Sequence, residues 1–182
     1  MVLSVSSRKG GPLYAIGDCT FLRKVILVEI KFSQGFLSRV VMIRVFPGWD
    51  IIEGIEKACE ELKITAGAIT TCIGSLQRTA FFTVVPLENK VGAGYSTPIT
   101  LEGPLELLSA QGTIGQDEKG NRFVHLHGAV SDRGGHAHGG HFIKGETPVL
   151  ITCEIVINLI DEAKWLRIHD PELGMDVVSP SR

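Results

Sequence analysis

Residues 123–141 read Phe123-Val124-His125-Leu126-His127-Gly128-Ala129-Val130-Ser131-Asp132-Arg133-Gly134-Gly135-His136-Ala137-His138-Gly139-Gly140-His141, and they hold five of the chain's six histidines. The first five residues alternate apolar and imidazole side chains, the pattern of a half-buried strand. Period two places His125 and His127 on one face, roughly 6.5–7 Å apart along the strand, where two rings can converge on one ion. Neutral imidazole is the commonest protein ligand for zinc and related metals. Ser131-Asp132-Arg133-Gly134-Gly135 is turn chemistry, so the later histidines return on a neighbouring strand.

The register of that hairpin decides the third ligand. A turn centred between Asp132 and Arg133 sets His127 opposite His138, with His136 on the same side. A turn centred on Arg133 sets His125 opposite His141 and turns His136 and His138 away. A slip of one residue reverses every side chain, unless Gly139-Gly140 forms a bulge. The expected ligand set is therefore His125 and His127 completed by His138, with His141 as the alternative, and the expected ion is zinc or another divalent transition metal. Solvated or backbone-bonded histidines are the plainer alternative; a cluster this dense favours metal.

The motif set has a second use. His125-Leu126-His127, Gly139-Gly140-His141 and Val149-Leu150-Ile151-Thr152-Cys153-Glu154 resemble the plants-and-prokaryotes conserved (PPC) domain. So do Arg44-Val45-Phe46-Pro47-Gly48-Trp49-Asp50 and Ile73-Gly74-Ser75-Leu76 upstream. The resemblance runs from about Ser38 to Ile168 with the motifs in order. It implies an α+β fold with a largely antiparallel sheet and one main amphipathic helix, assembled as a homotrimer. In plants this domain accompanies AT-hooks, and bacterial relatives are often described as DNA-binding. The spacing of His125, His127 and His138 is also similar to the zinc site of acetolactate decarboxylases.

At 182 residues, with 44% hydrophobic and 21% charged side chains, the chain has the length of one domain and the means to fill a core. Its formal net charge of −2 supplies no bulk attraction to nucleic acid. It also contains no Arg-Gly-Arg-Pro, so DNA binding is not supported by charge or by an AT-hook. Cys19, Cys59, Cys72 and Cys153 form no CxxC pair and read as reduced, buried thiols of a cytoplasmic protein. No apolar run approaches the ~20 residues of a membrane span, and the first residues do not read as a signal peptide.

Residues 1–37 read as an N-terminal extension, flexible from Ser4 to Pro12, with strand character at Val25 to Ile30. It is either an appendage or an upstream translation start. Residues 38–168 read as the PPC-like domain and 169–182 as a tail, loose after Pro171. Asp50 lies three residues before Glu53, the spacing of a helix N-cap. Ile51, Ile52, Ile55, Ala58, Cys59 and Leu62 then recur at helical spacing. Strands are expected at Arg39–Phe46, Ile64–Ile73, Thr79–Val85, Ile99–Leu101, Leu105–Ile114, Arg122–Val130 and Leu150–Ile160. Glu88 to Thr97 reads as an exposed loop, and Leu150–Ile160 suits the sheet's centre.

Two charged residues invite functional roles. Glu154, within an apolar run, reads as a salt-bridge partner or as a catalytic acid or base near the metal. Arg44 reads as a structural ion pair or as a group that binds an anionic ligand. Ser75 lacks the frame of a nucleophilic serine. Two functions remain in view: a metal-dependent small-molecule lyase or hydrolase, and a DNA-associated or oligomerisation module whose metal is structural.

Overall fold

Asp50 is where the first strand turns into the only helix among the described residues. A computed structural model describes residues 30–182. Strand β1 (Phe36–Val45) ends at Pro47-Gly48, and α1 (Ile51–Glu61) begins behind Asp50. One carboxylate oxygen of Asp50 accepts from the Glu53 amide at 3.0 Å, as the spacing predicted. The other accepts from the Thr147 amide and hydroxyl at 2.8 and 2.6 Å, tying the helix start to a distant loop. The helix buries Ile51, Ile52, Ile55 and Cys59, and its glutamates and Lys57 stay outside.

The other elements are β2 (Gly67–Phe82), β3 (Val84–Pro86), β4 (Ala93–Tyr95), β5 (Ile99–Asp117), β6 (Arg122–Ser131), β7 (Ala137–Phe142), β8 (Val149–Asp161), β9 (Lys164–Asp170) and β10 (Met175–Ser181). Eight of them form one sheet in the order β1-β8-β2-β7-β6-β5-β9-β10, antiparallel except for β5 with β9. Strand β2 also pairs with β5 along one side, and on the other with β8 and then, at Phe81 and Phe82, with β7. So β2, β5, β6 and β7 close on themselves. The interior face carries Ile69, Cys72, Leu76, Leu107, Ile114, Leu126, Val130, Ile155 and Ile157, with α1 packed against β6 and β1.

Two pairs of expected strands are single long ones. Ile64–Ile73 and Thr79–Val85 merge in β2, and Ile99–Leu101 and Leu105–Ile114 merge in β5. Gly74 and Gly103-Pro104 mark irregularities inside these strands rather than their ends, since a bulge bends a strand without stopping it. Beyond Pro171, β10 pairs with β9 along its whole length. The segment Glu88 to Thr97 contains β4, which pairs with β3. Strand β8 lies between β1 and β2, paired on both sides. The expectations for residues 1–29, with Cys19 and most of the Val25 to Ile30 strand, lie outside the described residues. Cys59, Cys72 and Cys153 are free and buried, with the Cys72 and Cys153 sulfurs 3.6 Å apart. No helix among the described residues is long and apolar enough to cross a membrane.

Candidate metal centre

The hairpin of β6 and β7 sets the site. Asp132 accepts at its carbonyl from the Gly135 amide at 3.0 Å, and its own amide donates to the His136 carbonyl at 3.1 Å. Gly135 takes φ +79°, which leaves a three-residue loop of the kind that pairs a β-turn with a left-handed glycine. The Asp132 carboxylate also accepts from the amides of Gly134 and His136 at 2.8 and 3.0 Å. The turn therefore centres on Gly134, one residue beyond the later of the two expected centres. The resulting register pairs His127 with His141, Gly128 with Gly140 and Val130 with His138.

That register places three imidazoles together. His125 and His127 share the face of β6 opposite the buried Leu126 and Val130, and His141 joins them from β7. His125 Nε2 lies 3.0 Å from His127 Nε2, which lies 3.2 Å from His141 Nδ1. A single ring nitrogen has one lone pair or one proton, so His127 Nε2 cannot satisfy both neighbours by hydrogen bonding. A tetrahedral zinc with bonds of about 2.0–2.1 Å needs ligand nitrogens about 3.3 Å apart, close to the spacing present. The three side chains can hold a metal ion.

The electrostatics suit that use. Burial, the His127 ring and the Arg167 guanidinium lower the His125 pKa. Burial, the His125 and His127 rings and Arg167 bring that of His141 down to about 4. Both shifts favour the neutral ring, the form that can bind a metal.

His138 and His136 serve the turn. His138 Nε2 and His136 Nδ1 lie 3.1 and 3.3 Å from the same Asp132 oxygen, and the three converging imidazoles do not include them. His138 hydrogen-bonding and the backbone amides hold Asp132 well below the usual carboxylate range. His138 follows Val130 in register, on the face away from His141. Glu154 is exposed on β8 opposite Arg44 of β1. The Thr152 hydroxyl donates to Glu154 at 2.8 Å and accepts from Arg44 Nε at 3.2 Å, so these three form their own chain of contacts. His169 is an exposed partner of Asp176, 3.0 Å away.

Residues that the sequence pattern did not single out complete the surroundings. Tyr95 of β4 brings its hydroxyl to 3.4 Å from His141 Nδ1, and the tilted rings of Tyr95, His141 and Phe82 lie against one another with centroids 5.1–6.3 Å apart. Gln111 and Thr113 of β5 stand opposite His127 and His125. Only Tyr95, an aromatic in a polar loop, gave any signal in the sequence.

The model of the Plants and Prokaryotes Conserved (PCC) domain family matches residues 32–161. The chain belongs to this family. Among solved PCC-type structures, a plant- and prokaryote-conserved protein of Pyrococcus horikoshii is 25% identical, with 83% of this chain and 98% of that one covered and a TM-score of 0.68. The metal-containing protein AF0104 of Archaeoglobus fulgidus, 23% identical, covers 82% of this chain and 99% of its own, at a TM-score of 0.70. A candidate DNA-binding protein of Bacteroides thetaiotaomicron, 19% identical, covers 81% and 98% respectively with a TM-score of 0.65. These last two share the fold. Over 136 residues the PCC chain is 29% identical to the bifunctional protein GlmU of Synechococcus sp. strain JA-2-3B'a(2-13), or 75% of this chain and 19% of that protein. It thus spans about a fifth of the length of the curated relatives it matches.

Proposed function

We propose that this PCC-domain protein binds one divalent transition metal per chain, zinc first, through His125, His127 and His141, and that it acts there on a small molecule as a lyase or hydrolase. The observation that carries the reading is the convergence of three ring nitrogens, two contacts at 3.0 and 3.2 Å, which protons alone cannot satisfy. Three protein ligands leave a fourth position open, the pattern of a catalytic rather than a structural zinc. Such an ion supplies Lewis acidity and an activated water. The chain's own part is to keep the rings neutral, to orient them through the hairpin register and to wall the site with Tyr95 and Phe82.

The protein assembles, in the same proposal, as a homotrimer. Edge strand β1 exposes Val40 and Met42, 64% and 83% accessible, and Ile73 of β2 and Ile151 of β8 are exposed as well. An uncovered apolar edge of this kind is a liability in a monomer. The Arg44–Thr152–Glu154 chain lies on this surface, which gives those residues a place in the contact between subunits rather than in catalysis. The same surface favours a second reading, an oligomerisation platform whose metal is structural.

Elemental analysis of untagged protein, together with its mass in solution, tests both parts. The expected result is about one zinc per chain on a trimer, and loss of the metal in the His125→Ala/His127→Ala double variant without unfolding. Protein that stays metal-free after zinc addition overturns the metal assignment.

A further inference from the structure

Arg167 of β9 lies beside the imidazole cluster without an acidic partner. Its guanidinium carbon sits 4.2 Å above the centre of the Phe123 ring. Phe123 precedes His125 by two on β6, so the guanidinium occupies the next place in the row that carries His125 and His127. Among the described residues Arg167 forms no ion pair.

Once a divalent ion is held by three neutral rings, the centre carries two positive charges with no carboxylate ligand. A guanidinium in the adjoining place adds a third. Concentrated positive charge in a partly desolvated site favours an anion that touches both centres. An open groove of about 470 Å³ runs beside two of the rings, lined by Ile69, Thr70, Gln111, Thr113, His125 and His127; Arg167 is not part of its lining. The Thr113 hydroxyl, buried and without a partner among the described residues, stands opposite His125 in the strand pairing.

A carboxylate has two oxygens, so one can meet a metal while the other accepts from a neighbouring guanidinium. The geometry points to a small organic oxyanion as the ligand of this centre, with one oxygen in the open metal position and the other on Arg167. The inference rests on the metal reading above and names the chemical class that the site receives.

Cobalt(II) loaded into the full chain tests it, because the visible absorption of cobalt reports a change in its fourth ligand. Malonate, inorganic phosphate and neutral malonamide are titrated separately into wild-type protein, Arg167→Gln and Arg167→Lys. The expected result is a saturable spectral shift with an anion and none with malonamide. Arg167→Gln weakens anion binding at least about tenfold while cobalt stoichiometry stays unchanged, and Arg167→Lys recovers part of the loss. Tighter binding of malonate assigns a carboxylate ligand, and tighter binding of phosphate assigns a phosphate ester. Equal anion affinity in wild type and Arg167→Gln, or a cobalt spectrum that no anion moves, overturns the inference and leaves the metal site intact. Failure to take up cobalt overturns the metal reading itself.

Discussion

His127 and His141 stand directly opposite each other on β6 and β7, with His127 Nε2 3.2 Å from His141 Nδ1. The pairing is a product of the turn, which Asp132 closes with its carboxylate and backbone. His141 therefore joins His125 and His127 in the group that could hold a metal ion, and His138 does not share its face. Alanine at His141 is expected to weaken zinc binding by more than the roughly 10–100-fold typical of losing an outer-shell partner. Alanine at His138 is expected to leave zinc stoichiometry unchanged and to lower hairpin protection in hydrogen exchange. Competition against a chelator measures the first effect. Loss of zinc from His138→Ala with retention by His141→Ala would reverse the assignment.

Proton competition at the cluster has a definite sign. His141 titrates near 4 in the folded chain, and burial and neighbouring positive groups lower His125 as well. In the unfolded chain both return to the ordinary histidine value of about 6.5. The unfolded state thus binds more protons between those values, so metal-free protein loses stability as pH falls from about 6.5 towards 4. The loss is expected to be on the order of 1 kcal/mol, allowing for solvent screening of half-buried rings. Melting of metal-free wild type and His141→Gln across this range checks it. The wild type's pH dependence should shrink in the variant, and identical slopes would remove His141 as the cause.

The legible part of this molecule was the part set by local chemistry. Alternation showed that His125 and His127 share a face, and Asp50 with Glu53 showed the helix start. Which histidine joins His125 and His127 stayed open between His138 and His141, because Asp132 shifts the turn centre to Gly134 and one residue decides which histidine returns. Gly74 and Gly103-Pro104 read as strand ends, since a glycine inside a bulged strand looks the same in sequence as one in a turn. Arg167 and Tyr95 reach the site from β9 and β4, through pairings that no local pattern encodes.

Asp50 joins three segments through one side chain. Its two oxygens cap α1 at Glu53 and take both the amide and the hydroxyl of Thr147, in a place only 5% accessible. Asp50→Ala removes the cap and leaves the Thr147 donors buried without acceptors, a loss expected to total about 2–4 kcal/mol. Asp50→Asn keeps the acceptor oxygen and should recover part of it. Chemical denaturation of the two variants gives the comparison. A cost below 1 kcal/mol for the alanine variant would show, by the ordinary worth of a cap alone, that the Thr147 contacts contribute nothing.

Gly74 permits β2 to pass close beside β8. Its φ of +155° lies outside the range that L side chains favour, and a Cβ there would stand 2.2 Å from the Thr152 carbonyl oxygen and 2.8 Å from Cys153 Cα. Both obstacles are backbone, so neither can swing aside as a side chain would. The neighbouring buried pair, Cys72 and Cys153, would have to move with the strand. Gly74→Ala is therefore expected to cost about 2–4 kcal/mol, through strain together with lost packing between β2 and β8. Gly120→Ala supplies the control, since it also has positive φ, at +84°, but meets nothing within 4 Å. Its cost should stay near the roughly 1 kcal/mol of a left-handed alanine. Equal destabilisation of the two variants in urea titration would mean that backbone conformation, and not the approach of β8, makes position 74 a glycine.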